Sequence, residues 1–292
     1  MKKAYKTGLV LNNGYARAFF QVGVLASLEG KVAFDVIVGT GMGAYIGAVL
    51  ASGKPISLIE TVARSLKPED FVCPSCDDRC FFTIKPLMTK LENIIGNPII
   101  EDLPKKFIVV ASDFGPNTLV LIKNGSVLSA VEASMTEPGF HLPYQLNNQG
   151  LADGSMINPF PTDIAWDNGA DTIVAIDTVS QHLRPFDENK DDLSFWVKNA
   201  KPGFPQLWLM HKNKIPWMEM RMMETSFTYA IDNFLDARQP EILIQLEEAE
   251  GSLPREAFID SFDKINGLID LGKTHGQKIL PRVLEKLQQL GI

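Results

Sequence analysis

The chain has 292 residues, 45% hydrophobic and 22% charged, enough apolar material for one large α/β domain with a sizeable core. Its net charge of −7 argues against nucleic acid or an anionic membrane as the main electrostatic partner. The basic tip of MKKAYKTGLVLNNG runs into an apolar stretch too short for a signal-peptide core, so a soluble cytoplasmic protein is expected.

In chain order, Thr7 to Leu11 reads as a buried strand and Asn12-Asn13-Gly14-Tyr15 as a turn. Ala16 to Glu29 follows with apolar residues at helical spacing (Phe20, Val24, Leu25, Leu28). A strand entering a helix through a Gly-containing turn offers backbone N–H groups to an anion or oxyanion, although the turn by itself fits an ordinary βα connection equally well.

Phe34 to Ala51, FDVIVGTGMGAYIGAVLA, is the stretch with most chemical content. Val36, Ile37 and Val38 are β-branched strand formers, Gly39-Thr40-Gly41-Met42-Gly43 is a tight turn, and a small-residue apolar helix follows. The turn fits the nucleophile-elbow frame G-x-S-x-G everywhere except at Gly41, where the serine should stand. The uncharged run from Val36 to Gly53 approaches membrane-spanning length, but Gly39, Gly41, Gly43 and Gly47 favour a buried strand, turn and helix.

Ile56 to Leu66 is a further expected helix. All three cysteines then cluster in Cys73-Pro-Ser-Cys76-Asp-Asp-Arg-Cys80, which excludes a disulfide framework. Cys73, Cys76 and Cys80 could supply three ligands to zinc or an iron–sulfur cluster, or a redox pair. No fourth ligand is evident, so a surface turn without metal is the favoured reading, and no cofactor is expected elsewhere.

Phe82 to Ile95 is partly helical, and Phe107 to Ala111 is a strong buried strand. Thr118 to Ile122 and Val127-Leu128 flank Lys123-Asn124-Gly125-Ser126, a β-hairpin signal, with a short helix from Ser129 to Met135. Leu151-Ala152-Asp153-Gly154-Ser155 precedes a rigid Asn158-Pro159-Phe160-Pro161 loop, a helix from Thr162 to Asp167 and a buried strand from Thr172 to Asp177. Gln181 to Lys201 reads as a loop. Phe204 to Tyr229 is rich in Met and Trp, which fits helix-packing core better than an acyl-chain groove. Glu241 to Leu246 is a last strand, and Pro254 to Leu271 and Ile279 to Leu290 are expected as two helices. His141, His182, His211 and His275 show no metal-ligand spacing and read as surface or satisfied residues. Asp35 and Asp113 read as turn or capping partners.

Three of these segments, in this order, resemble the patatin-like phospholipase family. GLVLNNGYARAFFQVGVLASLE is similar to the family's opening strand and glycine-rich oxyanion loop. FDVIVGTGMGAYIGAVLASG is similar to its nucleophile elbow. SAVEASMTEPGFHLPY with LADGSMINPFP is similar to its later helix and Asp-Gly-Gly/Ala motif. The resemblance runs from about Thr7 to the C-terminus and is weakest at Cys73–Cys80 and Gln181–Thr225. It implies an α/β, three-layer patatin-like (FabD/lysophospholipase-like) fold with a mostly parallel central sheet flanked by helices. It also implies one domain over residues 1–292, with 181–292 a mainly helical C-terminal part.

The family's chemistry, as the resemblance implies it, is acyl-ester hydrolysis by a Ser–Asp dyad, with loop N–H groups holding the oxyanion. By position Asp153 matches the dyad aspartate and Gly41 the vacated nucleophile. Asn13, Gly14, Tyr15 and Arg17 match the oxyanion loop, and Gly39, Thr40, Met42 and Gly43 the rest of the elbow. Asn13 and Tyr15 replace loop glycines, Ala18 replaces the glycine after the arginine, and Ser155 ends the Asp-Gly-Gly motif. Thr40 is not expected to substitute as nucleophile, since one step along the turn aims its hydroxyl elsewhere. The resulting expectation is a natural relative that is catalytically impaired and binds a lipid or fatty acyl ligand or regulates a partner, with peripheral membrane contact as a further possibility. Two alternatives stand beside it: an active acyl hydrolase with an engineered glycine at 41, and a metal- or redox-sensing interaction protein built on the cysteines.

Overall fold

Five strands whose cores are Val, Ile, Leu and Ala run parallel because helices cover both of their faces. The computed structural model describes residues 5–71, 73–74, 80, 82–138, 140–179, 239–246 and 264–291. Strands β1 (Thr7–Leu11), β2 (Val36–Thr40), β5 (Lys106–Asp113), β9 (Thr172–Asp177) and β10 (Ile242–Gln245) lie in the parallel order β10-β9-β1-β2-β5. The sheet continues antiparallel through β8 (Gln149–Asp153) and β7 (Tyr144–Leu146), while β6 (Thr118–Ile122) pairs with the other edge of β5. A two-stranded ribbon joins β3 (Cys73–Pro74) to β4 (Phe82–Thr83).

The α-helices among the described residues are α1 (Phe19–Leu28), α2 (Met42–Ala51), α3 (Ile56–Ser65), α4 (Pro68–Phe71), α5 (Lys85–Ile95), α6 (Val127–Met135), α7 (Thr162–Asp167) and α8 (Ile265–Gln289). One apolar cluster joins alternate strand residues such as Leu9, Leu11 and Ile37 to α1, α2, α6 and α8. A second joins Val10, Val36, Val38 and Ile108 to Phe160, Ile164 and Ala165 around α7 on the opposite face. The alternation is the period-two consequence of strand geometry, and it yields the expected three layers.

The antiparallel end of the sheet positions the site. Along one side of β5, β2 covers Lys106 to Val110 and stops at Thr40. On that same side β8 takes over, with Asp153 paired to Ala111. The end of β2 and the end of β8 therefore meet head to head, which brings the elbow and Asp153 together although 113 residues separate Thr40 from Asp153.

Two local expectations are corrected. The hairpin is formed by β5 and β6, and Val127-Leu128 are not its second strand. They begin α6 instead, because Ser126 caps that helix by accepting the Ser129 N–H at 3.2 Å. The two helices expected near the C-terminus form one, α8, which carries Pro281 inside it. Gly23 of α1 faces the Ile269 carbonyl, and Gly272 of α8 faces the Phe20 carbonyl, so the two backbones approach too closely for any Cβ. Arg64–Asp270 and Lys273–Glu60 ion pairs tie α8 to α3. The Met- and Trp-rich stretch 204–229, the loop 181–201, His182, His211 and the first residues of the expected helix from 254 lie outside the described residues.

Candidate active site

The turn between β2 and α2 has the shape of a nucleophile elbow. Gly41 sits at φ 54° and ψ −126°, a conformation that L side chains rarely adopt and that costs about 1–3 kcal/mol when a non-glycine residue is forced into it. The helix can start this abruptly because its first turn packs against β1: a Cβ on Gly43 would strike the Leu11 carbonyl. The Gly41 N–H donates to Ser134 Oγ at 2.9 Å, and Ser134 donates to the Val110 carbonyl at 2.6 Å. Ser134, on α6, thus anchors the turn to β5. It has no recognisable spacing in the sequence, although it lies in one of the segments that carry the family resemblance.

Asn13 occupies the centre of the site. Its Oδ1 accepts from the backbone N–H groups of Gly14 (2.9 Å), Tyr15 (3.2 Å) and Met42 (3.2 Å). Its Nδ2 donates to Asp153 Oδ2 at 2.8 Å. The three N–H groups converge from two turns, the loop after β1 and the start of α2, on one oxygen. That is the donor set an oxyanion hole requires, and the oxygen in it belongs to the chain itself. A Cβ added to Gly41 would lie 2.7 Å from both polar atoms of the Asn13 carboxamide and closer still to its Cγ. The carboxamide therefore fills the space that a serine side chain at position 41 would need.

Asp153 is fully buried at the end of β8. Its Oδ1 accepts from the Ser155 N–H at 2.9 Å and from Thr40 Oγ1 at 3.2 Å. Burial pushes its carboxyl above the usual range, and the donors from Ser155, Asn13 and Thr40 offset this only in part. Thr40 thus corrects the expectation that its hydroxyl is aimed away from the site: it touches Asp153, but on the oxygen opposite the one that Asn13 holds. Asn12, one residue before Asn13, fixes the loop from behind. Its Nδ2 donates to Asp177 at 2.8 Å, and its Oδ1 accepts from Gln21 at 3.1 Å and from the Thr178 N–H at 3.2 Å.

Above Gly41 lies a pocket lined by Asn13, Tyr15, Gly41, Met42, Phe71, Phe82, Ile84, Leu87, Met135, Glu137, Phe140, His141 and Asp153. Its walls come from α2, α4, α5, the β3–β4 ribbon and the end of α6, and most of them are apolar. Phe82 and Phe140 stack with ring centroids 6.2 Å apart. His141 belongs to this wall, half-buried, and is hydrogen-bonded, one of the two settings the sequence allows for it. Its Nδ1 accepts the Glu137 N–H at 3.1 Å, its backbone N–H donates to the Glu137 carbonyl at 2.8 Å, and burial lowers its pKa to about 4. His275 packs edge-on to Phe20 instead.

Of the other expected site residues, Gly14, Tyr15 and Arg17 lie in the loop and its short 3-10 turn Tyr15–Ala18, with Tyr15 at φ 48°. Arg17 is half-buried and does not line the pocket. Gly39 and Gly43 bracket the elbow, and Met42 supplies both an N–H and an apolar side chain. Cys76 lies outside the described residues, as does the side chain of Cys73, while Cys80 is half-buried. Among the described residues no three His, Cys, Asp or Glu side chains are grouped to hold a metal, and no helix is long and apolar enough to cross a membrane.

A sequence model described as patatin-like phospholipase matches residues 9–166, just over half of the chain. The mouse patatin-like phospholipase domain-containing protein 6 is 32% identical over 93% of this chain and 20% of its own length. The rat patatin-like phospholipase domain-containing protein 7 is 28% identical over 96% of this chain and 21% of its own length. An uncharacterised NTE family protein of Mycobacterium tuberculosis is 26% identical over 70% of this chain and 54% of its own length. The chain thus spans about a fifth of the mammalian relatives it matches. Among solved structures, the crystal structure of VipD from Legionella pneumophila aligns with a TM-score of 0.45 and 12% identity, over 95% of this chain and 67% of that one.

Proposed function

The chain belongs to the patatin-like phospholipase family, and from that membership we propose that it is a catalytically silent member that binds an acyl-chain ligand in the pocket above Gly41. The observation that carries the reading is the seat of the Asn13 carboxamide. In a Ser–Asp hydrolase the three N–H groups would hold the substrate carbonyl oxygen, and the aspartate would hold the serine hydroxyl. Here one side chain satisfies both, with Oδ1 in the donor cradle and Nδ2 on Asp153. Gly41 brings no hydroxyl to attack with, and the carbonyl of an incoming ester finds its place taken.

Loss of the nucleophile alone removes on the order of a million-fold in rate from a serine protease. An oxyanion hole that stays free can retain a residual 10³–10⁴-fold over water. Occupation by Asn13 removes that remainder too. A single serine-to-glycine change on an intact hydrolase would leave the cradle open, so Asn13 also speaks against the reading of Gly41 as an isolated engineered change. The binding half of the proposal rests on the pocket walls. Phe71, Phe82, Ile84, Leu87, Met135 and Phe140 offer apolar surface in a concave site, which favours a hydrocarbon chain.

The test is turnover of p-nitrophenyl butyrate and p-nitrophenyl palmitate by the purified protein, together with calorimetric titration of a long-chain ligand. The expected result is hydrolysis at background and saturable binding of one ligand per chain. Turnover that Asp153→Asn abolishes overturns the silent reading.

A further inference from the structure

We propose that Asn13 is a self-modification site: the Gly14 backbone nitrogen closes on the Asn13 carboxamide, ammonia leaves, and water opens the resulting succinimide to aspartate or isoaspartate, so that the chain removes the carboxamide from its own cradle. The reaction involves this chain and water alone and needs no acyl ligand. Asn13 is followed by Gly14, and a residue without a Cβ leaves its backbone nitrogen least shielded. Packing also requires glycine there, since a Cβ on Gly14 would strike Thr178 Oγ1. The Gly14 nitrogen lies 2.9 Å from Asn13 Oδ1. The fold thus holds attacker and carbonyl together, where a free chain relies on chance encounter.

The groups around this carboxamide are those an acyl transfer needs. Attack uses up the Gly14 N–H, and two of the three donors on Oδ1 remain, from Tyr15 and Met42. A pair of N–H groups suffices for an oxyanion hole, and these two hold the electron pair that moves onto Oδ1 as the new bond forms. The leaving nitrogen, Nδ2, lies 2.8 Å from Asp153 Oδ2, and burial favours a proton on that carboxyl. Gly14 N gives its proton to solvent base and bonds to Cγ. The pair on Oδ1 then returns, the Cγ–Nδ2 bond breaks, and Nδ2 takes the Asp153 proton and departs as ammonia. Asp153 regains its proton from solvent. Asn13 lines the pocket above Gly41, which gives water and ammonia a path. Either product sets a second carboxyl against Asp153 in place of the amide donor, and two carboxylates at that spacing repel, so the cradle opens.

Asn-Gly recurs at Asn124-Gly125, Asn168-Gly169 and Asn266-Gly267, and the exposed Asn124 serves as an internal reference. The full chain is kept folded at pH 8 and digested at intervals, and mass spectrometry follows the amide-to-acid mass gain and the isoaspartate content at Asn13 and Asn124. Asn13 is expected to convert at least as fast as Asn124 despite its burial, and the two are expected to convert at similar rates in chain unfolded by urea. Asp153→Asn is expected to slow Asn13 by at least about tenfold in the folded protein and to leave Asn124 unchanged. Slower conversion at Asn13 than at Asn124 in the folded parent chain overturns the proposal, whether or not the variant folds. An unchanged Asn13 rate in folded Asp153→Asn overturns the part given to Asp153. A product that is aspartate alone, without isoaspartate, assigns the attack to water and overturns the part given to Gly14.

Discussion

Asn13 Nδ2 and Asp153 Oδ2 lie 2.8 Å apart, joined across 140 residues of sequence in a site where the family's chemistry calls for a serine hydroxyl on the aspartate. The same carboxamide places Oδ1 on three converging N–H groups. In the reading proposed above, one asparagine takes the place of both halves of a reacting pair, the nucleophile's proton and the substrate's oxygen.

Gly41→Ser by itself is expected to stay at background in p-nitrophenyl butyrate hydrolysis and to lose about 1–3 kcal/mol in urea denaturation, since the new Cβ overpacks against Asn13. Asn13→Gly with Gly41→Ser opens the cradle and supplies the nucleophile. That pair is expected to give turnover at least about a hundredfold above the parent chain. Full activity of the single change would show that Asn13 is readily displaced.

Asn13→Ala leaves three inward-pointing N–H groups and Asp153 Oδ2 without the amide that pairs them. The expected loss is about 1–3 kcal/mol, read as a shift in the urea midpoint at constant slope. A loss below the error of the measurement would mean that water replaces the carboxamide at no cost.

Asp153 binds its proton more tightly in the folded state, because burial raises its pKa. Between the unfolded aspartate value and the raised one the folded state holds more protons, so this group's contribution to stability is full at low pH and is lost as pH rises through the folded pKa. Asn13→Asp adds a second carboxyl to the same contact and steepens that loss, because two carboxylates this close share a proton. Denaturation midpoints of Asn13→Asp are expected to fall more than those of the parent as pH rises above the ordinary aspartate range, and Asp153→Asn is expected to remove the part of the parent's slope that this carboxyl causes.

His141 acts with the opposite sign. Its folded pKa of about 4 lies below the ordinary histidine value of 6.5, so the unfolded state holds more protons between those values, and stability falls as pH drops from 6.5 toward 4. The full effect is about 3 kcal/mol, from the equivalence of pKa shift and free energy. His141→Phe is expected to flatten that acid limb in a series of urea melts between pH 4 and pH 7. An unchanged limb would locate the acid sensitivity elsewhere.

Much of the architecture was legible in the chain. Runs such as Val36–Val38, Phe107–Ala111 and Ile173–Ile176 are apolar on both faces, which fits a strand buried between helix layers, and their alternation with helices points to a mostly parallel sheet. The elbow was legible because Gly39 and Gly43 fit a close approach and Gly41 a positive φ that few residues accept. The hairpin after β5 was misread because Asn124-Gly125 is a strong turn signal; Ser126, as a helix cap, decided what followed it. Ser134 and His141 were not recognisable as site residues, because a lone serine or histidine has no periodicity to mark it.

The sequence by itself determined that the elbow carries no nucleophile: Gly41 has no side chain, and no fold can supply one there. Only the tertiary structure decided what fills the place. Asn13 reads as one turn residue among several until β2 and β8 meet end to end along β5 and bring Asp153 to face the loop after β1. Hydrogen bonding is a matter of ångströms, and distances between residues 13, 42 and 153 exist only once the sheet has set its strand order.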